Sequence, residues 1–399
     1  MNGTLAGFYE LMESTVDVRR RMVVEYIEKG DVEAGDLNLL RKVLQILEDL
    51  PVGEEGKNRL LLEGSRTLDV DLGYEKEELK KDLFFFEKGE KEFSLYLASM
   101  HSGFDEYVKR GFEFLHGKRF RNFVTDRDGT VNNYCGRYRS SVQSAYNAVY
   151  LTRFIRSCTD NAVIVTSAPL QNPGIATISV MDKGTFIYAA SKAREFIDAS
   201  GVRRTYPIDP DANTLLDQLN KRLAALVKKP GREKFALIGS GLQFKFGETT
   251  IARQDITGAV TEEESTAFKK EVEQEVEAVD PSLQKFYIVD TGLDIEIILK
   301  KGGTGSVSEE KFDKGDGLLF LDRELGLNLK KGPNLVCGDT SSDLKLVDAC
   351  VQQSDETWTV FVTRDEKLAA KVNSTGAENF IVPEPDMLVF MLDRLSESL

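Results

Sequence analysis

Histidine is scarce in this chain, with only His101 and His116 among 399 residues. A Ser/His/Asp triad or a multi-histidine zinc centre lacks its parts here. Long apolar runs are missing as well, none approaching the roughly 20 residues that a membrane span needs. Met1 to Glu13 carries acidic residues and no basic cluster, so a cytoplasmic protein is expected. Cys135, Cys158, Cys337 and Cys350 show no metal-type spacing, which points to buried, reduced thiols. Acidic residues outnumber basic ones by 66 to 52, giving a net charge of −14 with no local basic stripe. Such a surface repels polyanions, so neither nucleic acid nor membrane is an expected partner.

Proline is nearly absent from the first part, where only Pro51 precedes Pro169. A proline-poor region rich in Glu, Lys and Leu reads as long helices, and residues 1–117 are expected to form an all-helical N-terminal domain. Asp36 reads as an N-cap, Leu37, Leu40, Leu44 and Leu47 follow at helical spacing, and Pro51 stops the run. Further on, Leu79, Phe86, Phe93, Met100, Tyr107 and Phe114 recur every seven residues, with Leu83, Leu97 and Phe104 on the companion position. That seam buries against another helix, either inside the chain or in a homodimer or protein partner. The break at Gly89 and Glu90 favours packing inside the chain.

With 41% hydrophobic and 30% charged residues, the chain has the composition of a folded protein. Its length suits two or three domains at about 100–200 residues each. Beyond Arg119, Phe123-Val124, Ala162 to Val165, Asn334 to Cys337, Thr359 to Thr363 and Phe380 to Val382 read as buried strands separated by helices. This is the pattern of a Rossmann-like, doubly wound parallel sheet in the α/β class, made from residues 118–208 and 303–399. Residues 209–302 interrupt it. They read helix (Leu215 to Val227), strand (from Phe235 to Ile238), strand (Thr249 to Arg253), helix (Glu262 to Val279), strand (Phe286 to Val289) and strand (Asp294 to Leu299). That order describes an inserted α+β unit, with Gly302 to Ser306 as a flexible return linker. Gly239-Ser240-Gly241 and Gly302 to Gly305 lack the strand–loop–helix setting of a nucleotide loop.

The first core strand runs into Asp126-Arg127-Asp128-Gly129-Thr130. Two carboxylates at that spacing can both face the crevice at the carboxyl edge of a parallel sheet, although Asp and Gly also make plain turns. The second strand ends in Thr166-Ser167, Asp313-Lys314-Gly315 opens the return from the insert, and a third strand ends in Gly338-Asp339-Thr340-Ser341-Ser342-Asp343. In this order the motifs resemble those of the haloacid dehalogenase-like phosphatase superfamily. The resemblance implies Asp126 as nucleophile, Asp128 as general acid and base, and Lys314 and Thr166 as phosphoryl-binding groups, with Ser167 as the alternative to Thr166. It also implies Mg²⁺ held by Asp126, Asp128, Asp339 and Asp343, a site of hard oxygens that also suits Mn²⁺.

Within that superfamily, the insert resembles the cap of sugar-phosphate phosphatases. Thr125 to Val131, Gly241-Leu242-Gln243-Phe244-Lys245 and Asp290 to Glu296 make the chain similar to trehalose-6-phosphate phosphatases of the nematode type, which carry a helical N-terminal extension. The family's more common Glu-x-Lys reads Gln243-Phe244-Lys245 here, and the Arg-Pro that often follows the last cap glutamate is absent after Glu296. The likeness implies hydrolysis of trehalose 6-phosphate, with Lys245, Arg253 and Glu296 either gripping sugar hydroxyls or merely facing water from the cap strands. Two alternatives stand beside it: a phosphatase for sucrose 6-phosphate or a glycosyl-phosphoglycerate, and a non-catalytic sugar-phosphate sensor on a helical scaffold.

Overall fold

Thr4 caps the first helix, α1 (Leu5–Lys29), by accepting from the Gly7 N–H at 3.0 Å. The structure is a computed structural model that describes residues 3–62, 67–171, 173–300, 302–303, 306–307 and 311–398. Next come α2 (Ala34–Glu48), β1 (Asn58–Leu61), β2 (Thr67–Val70), α3 (Gly73–Lys88), α4 (Glu90–Met100) and α5 (Phe104–Leu115). The N-terminal part is therefore helical but not all-helical, because β1 and β2 pair as an antiparallel hairpin. Only Asn58, Leu60, Leu68 and Val70 turn inward along it, a period of two over strands too short to stand out between leucine-rich helices. Asp36 lies in the first turn of α2 while Glu33 is the N-cap, and a carboxylate in the first turn still favours the helix dipole.

The heptad seam is divided among α3, α4 and α5, which part at Gly89 (φ 82°) and Gly103 (φ 75°). Its aromatic residues pack inside the chain. Phe93 lies 4.7 Å from Tyr146 and Phe104 lies 5.2 Å from Phe390, ring centre to ring centre. Beside this apolar contact sits a buried polar lock. Asp386 accepts from Lys81 Nζ at 2.7 Å, Tyr146 OH at 2.5 Å and Asn133 Nδ2 at 2.8 Å, and pairs with His101 Nε2 at 2.7 Å. One of the two histidines thus helps to fasten the helical part to the rest.

The core begins with β3 (Phe120–Thr125), α6 (Ala145–Cys158), β4 (Thr159–Val165), α7 (Ile175–Ile178), β5 (Ile187–Ala190), β6 (Glu195–Ile197) and β7 (Arg203–Thr205). The insert follows as α8 (Pro210–Leu226), β8 (Leu242–Lys245), β9 (Glu248–Ala252), α9 (Glu262–Val279), β10 (Phe286–Asp290) and β11 (Asp294–Leu299). A short ribbon, β12 (Gly302–Gly303) with β13 (Ser306–Val307), stands where the sequence suggested an unstructured linker; Thr304 and Gly305 lie outside the described residues. The core resumes with α10 (Lys314–Leu325), β14 (Asn334–Gly338), α11 (Leu344–Val351), β15 (Thr357–Val362), α12 (Glu366–Asn373), β16 (Glu378–Val382) and α13 (Pro385–Ser396).

The core sheet has eight strands in the order β16-β15-β14-β3-β4-β5-β6-β7. It is parallel from β16 to β5, and β6 and β7 extend one edge in antiparallel fashion. From β3 the chain moves one way through β4 and β5, then returns on the other side through β14, β15 and β16. The strand order therefore reverses between β3 and β14, where doubly wound sheets open a crevice at their carboxyl ends.

In the insert, β10-β11-β9-β8 form an antiparallel sheet backed by α8 and α9. The expected strand from Phe235 to Ile238 is instead a helical turn, Glu233–Ala236, with β8 beginning at Leu242. Gly239 and Gly241 at φ 48° and 66° delay the strand, and Phe235 stacks on Phe268 at 3.7 Å in the apolar core. Among the described residues, no helix is long and apolar enough to cross a membrane.

Candidate active site

Asp126 is the first residue beyond β3, and its N–H still donates to Cys337 O on β14 at 3.0 Å. The chain then turns sharply, with Gly129 N donating to Asn132 O at 2.7 Å. Gly129 stands at φ 88°, and a Cβ on it would lie 2.3 Å from Asp339 Oδ2, so both conformation and space require glycine. Thr130 Oγ1 donates to Asp339 Oδ1 at 2.7 Å. Asp339 follows β14 directly, so strand pairing alone brings the two acidic motifs together.

Lys314 opens α10, whose N-cap is Asp313. Its buried ammonium donates to Asp126 Oδ1 at 2.8 Å and to Asp343 Oδ1 at 2.6 Å. Asp343 is buried, and its Oδ2 accepts from Thr340 N at 2.9 Å and Thr340 Oγ1 at 2.7 Å. Burial disfavours the charged form of Lys314, but Asp126 and Asp343 outweigh that and raise its pKa.

Asp126, Asp339 and Asp343 bring a carboxylate oxygen each within 4.8 Å of one another. Burial, with Asp343 and Asp128 adding to it against Lys314, pushes Asp126 up to about 6. Burial, then repulsion from Asp126 and Asp343, pushes Asp339 up to about 8. One lysine thus leaves this group of hard oxygen donors with excess negative charge, and a divalent cation such as Mg²⁺ fits it. The group can hold a metal ion.

Asp128 is held through one oxygen, Oδ1 accepting from Arg127 Nη1 at 2.6 Å and Ser141 Oγ at 2.7 Å. With Asp126, Lys314, Thr166 and Ser167 it lines a cavity of about 480 Å³ between the sheet edge and the insert. Thr166 Oγ1 accepts from Ala168 N at 3.1 Å, which leaves its hydroxyl proton available. Both residues of the Thr166-Ser167 pair reach the cavity.

Lys245 and Glu296 line the opposite wall. Arg253 is not among the residues that line this cavity. Counting along β9, Arg253 shares parity with Ile251 on the helix-backed face, opposite to Glu248 and Thr250. Its guanidinium is occupied by Asp290 at 2.7 Å, Ser265 at 2.9 Å and Glu262 at 3.3 Å. Sequence reading passed over Thr250 and Asp294 as lining residues, and treated Gln243 only as a departure from a motif. Thr250 is in register with both Gln243 and Glu296, so strand alternation carried the signal once the pairing was known. Tyr134, Arg137 and Ser141 on the loop after Asp128 were passed over too; nothing in that loop's spacing marked them.

Glu248 lies buried between Lys245 Nζ at 2.9 Å and Lys192 Nζ at 2.8 Å. Burial pushes its carboxyl up, but the two ammonium groups prevail and hold it down to about 2. This pairing fixes Lys245 and ties the insert to the core.

Residues 123–388 match the family described as "Trehalose-6-phosphate phosphatase, C-terminal", and residues 4–103 match its "N-terminal helical bundle domain". The chain belongs to the trehalose-6-phosphate phosphatase family. It is 31% identical over 412 residues to alpha,alpha-trehalose-phosphate synthase (UDP-forming) 1 of Aphelenchoides avenae, covering 96% of this chain and 35% of that protein. The chain thus spans about a third of the length of the synthases it matches. To the trehalose-phosphatase of Brugia malayi it is 27% identical over 403 residues, covering 92% of this chain and 80% of that one. The solved structure of a trehalose-6-phosphate phosphatase related protein aligns with a TM-score of 0.47 at 14% identity, covering 69% of this chain and 97% of that one. In this chain the helical part precedes the phosphatase part.

Proposed function

We propose that this chain is a Mg²⁺-dependent phosphatase that hydrolyses trehalose 6-phosphate to trehalose and phosphate in the cytoplasm. The observation behind the reading is that Asp126, Asp128 and Lys314 line one cavity against a polar sheet face, in a chain of this family. The Brugia malayi relative's name supports the choice of substrate. In this reading residues 1–117 are the helical domain, 118–208 and 303–399 the catalytic core, and 209–302 the cap.

A carboxylate oxygen of Asp126 attacks phosphorus, and the bond from phosphorus to the sugar oxygen breaks as Asp128 gives that oxygen a proton. The aspartyl phosphate is then attacked by water, whose proton Asp128 takes back, and the bond to Asp126 breaks to release phosphate. Lys314 holds positive charge beside the nucleophile throughout, and Thr166, or Ser167 beside it, donates to a phosphoryl oxygen. Asp126, Asp339 and the Asp128 backbone carbonyl, with Asp343 behind them, would hold Mg²⁺, which when bound would supply charge neutralisation for the phosphoryl group. Lys245 and Glu296, with Gln243 and Thr250 alongside, face the sugar, while Arg253 braces the cap.

The test is Mg²⁺-dependent phosphate release from trehalose 6-phosphate, sucrose 6-phosphate, glucose 6-phosphate and an aryl phosphate, with a chelator control. A strong preference for trehalose 6-phosphate that the chelator abolishes is expected. Turnover of the aryl phosphate alone would refute the substrate, and no turnover with any divalent metal would refute the enzyme in favour of the sensor.

A further inference from the structure

Among the described residues, the hydrogen bonds to the Asp128 carboxylate all fall on Oδ1, and the groups that make them are supported in part from the helical region of the chain. Besides Arg127 Nη1 and Ser141 Oγ, Oδ1 has Asn132 Nδ2 at 3.4 Å. Asn132 closes the same turn through its backbone, its N–H donating to Arg127 O at 2.9 Å. Its amide in turn donates to Tyr74 OH at 3.0 Å, and Tyr74 OH donates to Val142 O, also at 3.0 Å. Tyr74 belongs to the first turn of α3, in the helical part of the chain. The next residue of that turn, Glu75, is fully buried and accepts from Ser140 Oγ at 2.5 Å and Arg137 Nη2 at 3.1 Å. One turn of α3 therefore clamps the loop that carries Ser141 at two points.

We propose that Tyr74 is a positioning residue for Asp128, acting through Asn132 and the Val142 end of the loop. The inference rests on the assignment of Asp128 as general acid. A proton donor works only within hydrogen-bond reach of the departing oxygen, and with Oδ1 saturated by the core, Oδ2 is the oxygen left to face the cavity. Removing the Tyr74 hydroxyl takes a partner from both the Asn132 amide and the Val142 carbonyl, so the turn under Asp128 loosens while Lys314 keeps its contacts with Asp126 and Asp343. The helical part then contributes to chemistry and not to folding alone.

Leaving groups separate this role from a structural one. A sugar alkoxide needs a proton to leave, whereas p-nitrophenolate does not, and kcat/KM reports the phosphoryl-transfer step. For Tyr74→Phe in the full chain, the ratio of kcat/KM on trehalose 6-phosphate to that on p-nitrophenyl phosphate should fall about ten-fold, a part of the effect general acids supply. The KM for trehalose 6-phosphate should change little. An unchanged ratio, whether both activities fall together or neither falls, overturns the proposal. If Tyr74→Phe does not fold, Asn132→Ala is measured in the same way, and an unchanged ratio there counts equally against it. Wild-type turnover of trehalose 6-phosphate is read in parallel: its absence refutes the proposed function, while its presence with an unchanged ratio refutes only the part given to Tyr74.

Discussion

Lys314 Nζ and Asp126 Oδ1 are 188 residues apart along the chain and 2.8 Å apart in space. The whole insert lies between them in sequence, so this contact exists only when the two parts of the core have closed into one sheet. The same ammonium reaches Asp343 at 2.6 Å, and it is the one cation in direct contact with the three-carboxylate group among the described residues.

Lys314→Gln replaces the ammonium with a neutral amide one bond shorter, so the charge beside Asp126 is removed. In the reading given above it should lower kcat on trehalose 6-phosphate by about a hundredfold or more, as loss of a charge-stabilising donor does in other enzymes. Phosphate release under saturating Mg²⁺ checks this, with thermal unfolding as the folding control. A variant with wild-type kcat would remove Lys314 from the reaction.

Gly129→Ala should disable the site more than the fold. The added Cβ meets Asp339 Oδ2 at 2.3 Å from a backbone at φ 88°, so either the turn or the Asp339 carboxylate must move. Backbone strain of this kind costs about 1–3 kcal/mol, which a protein of this size survives, yet the displaced carboxylate belongs to the acidic group. Equilibrium unfolding and phosphate release should diverge, with small loss in the first and large loss in the second. Full activity in a folded Gly129→Ala protein would contradict the close approach of Asp339.

The residues at the sheet edge of the cavity were more legible in the sequence than those of the wall that faces it. Asp126, Asp128, Thr166, Lys314 and Asp339 each sit at a strand end or helix start, where a short apolar run followed by a polar cluster is visible without any pairing information. Gln243, Thr250 and Glu296 become neighbours only through the register of three antiparallel strands, and register is not written in any one strand. Arg253 shows the consequence, since one step of alternation takes it from the cavity to Asp290. The hairpin of Asn58–Leu61 and Thr67–Val70 was hidden for another reason, its four-residue strands offering only two inward positions each, too few for an alternation to stand out. The seam from Leu79 to Phe114 was legible as buried surface, while its partners on α6 and α13 were not, because contacts that distant leave no periodic trace.

A pH-dependent stability is expected from Asp393. Its side chain is almost wholly buried, Oδ1 has no hydrogen-bond partner, and the nearest cation, Arg153, is 3.6 Å away and engaged by Glu90. Burial, only partly offset by Arg153, pushes its carboxyl up to about 7. Unfolded, the group titrates near 4. Between about 4 and 7 the folded state keeps a proton that the unfolded state has lost, so stability from this group is full below about 4 and declines until the folded group has ionised. Urea unfolding of the wild type and Asp393→Asn across pH 4.5–8 should show the variant gaining on the wild type as pH rises. A constant difference between the two would show that Asp393 does not titrate in this range.

The most direct test of the central claim, phosphoryl transfer to Asp126, is steady-state phosphate release from trehalose 6-phosphate by the wild type and by Asp126→Asn in Mg²⁺. Loss of about a thousandfold or more in kcat, the scale seen when a nucleophile is removed, is expected from a variant that remains folded. Turnover by Asp126→Asn near the wild-type rate would contradict the assignment of the nucleophile and the mechanism built on it.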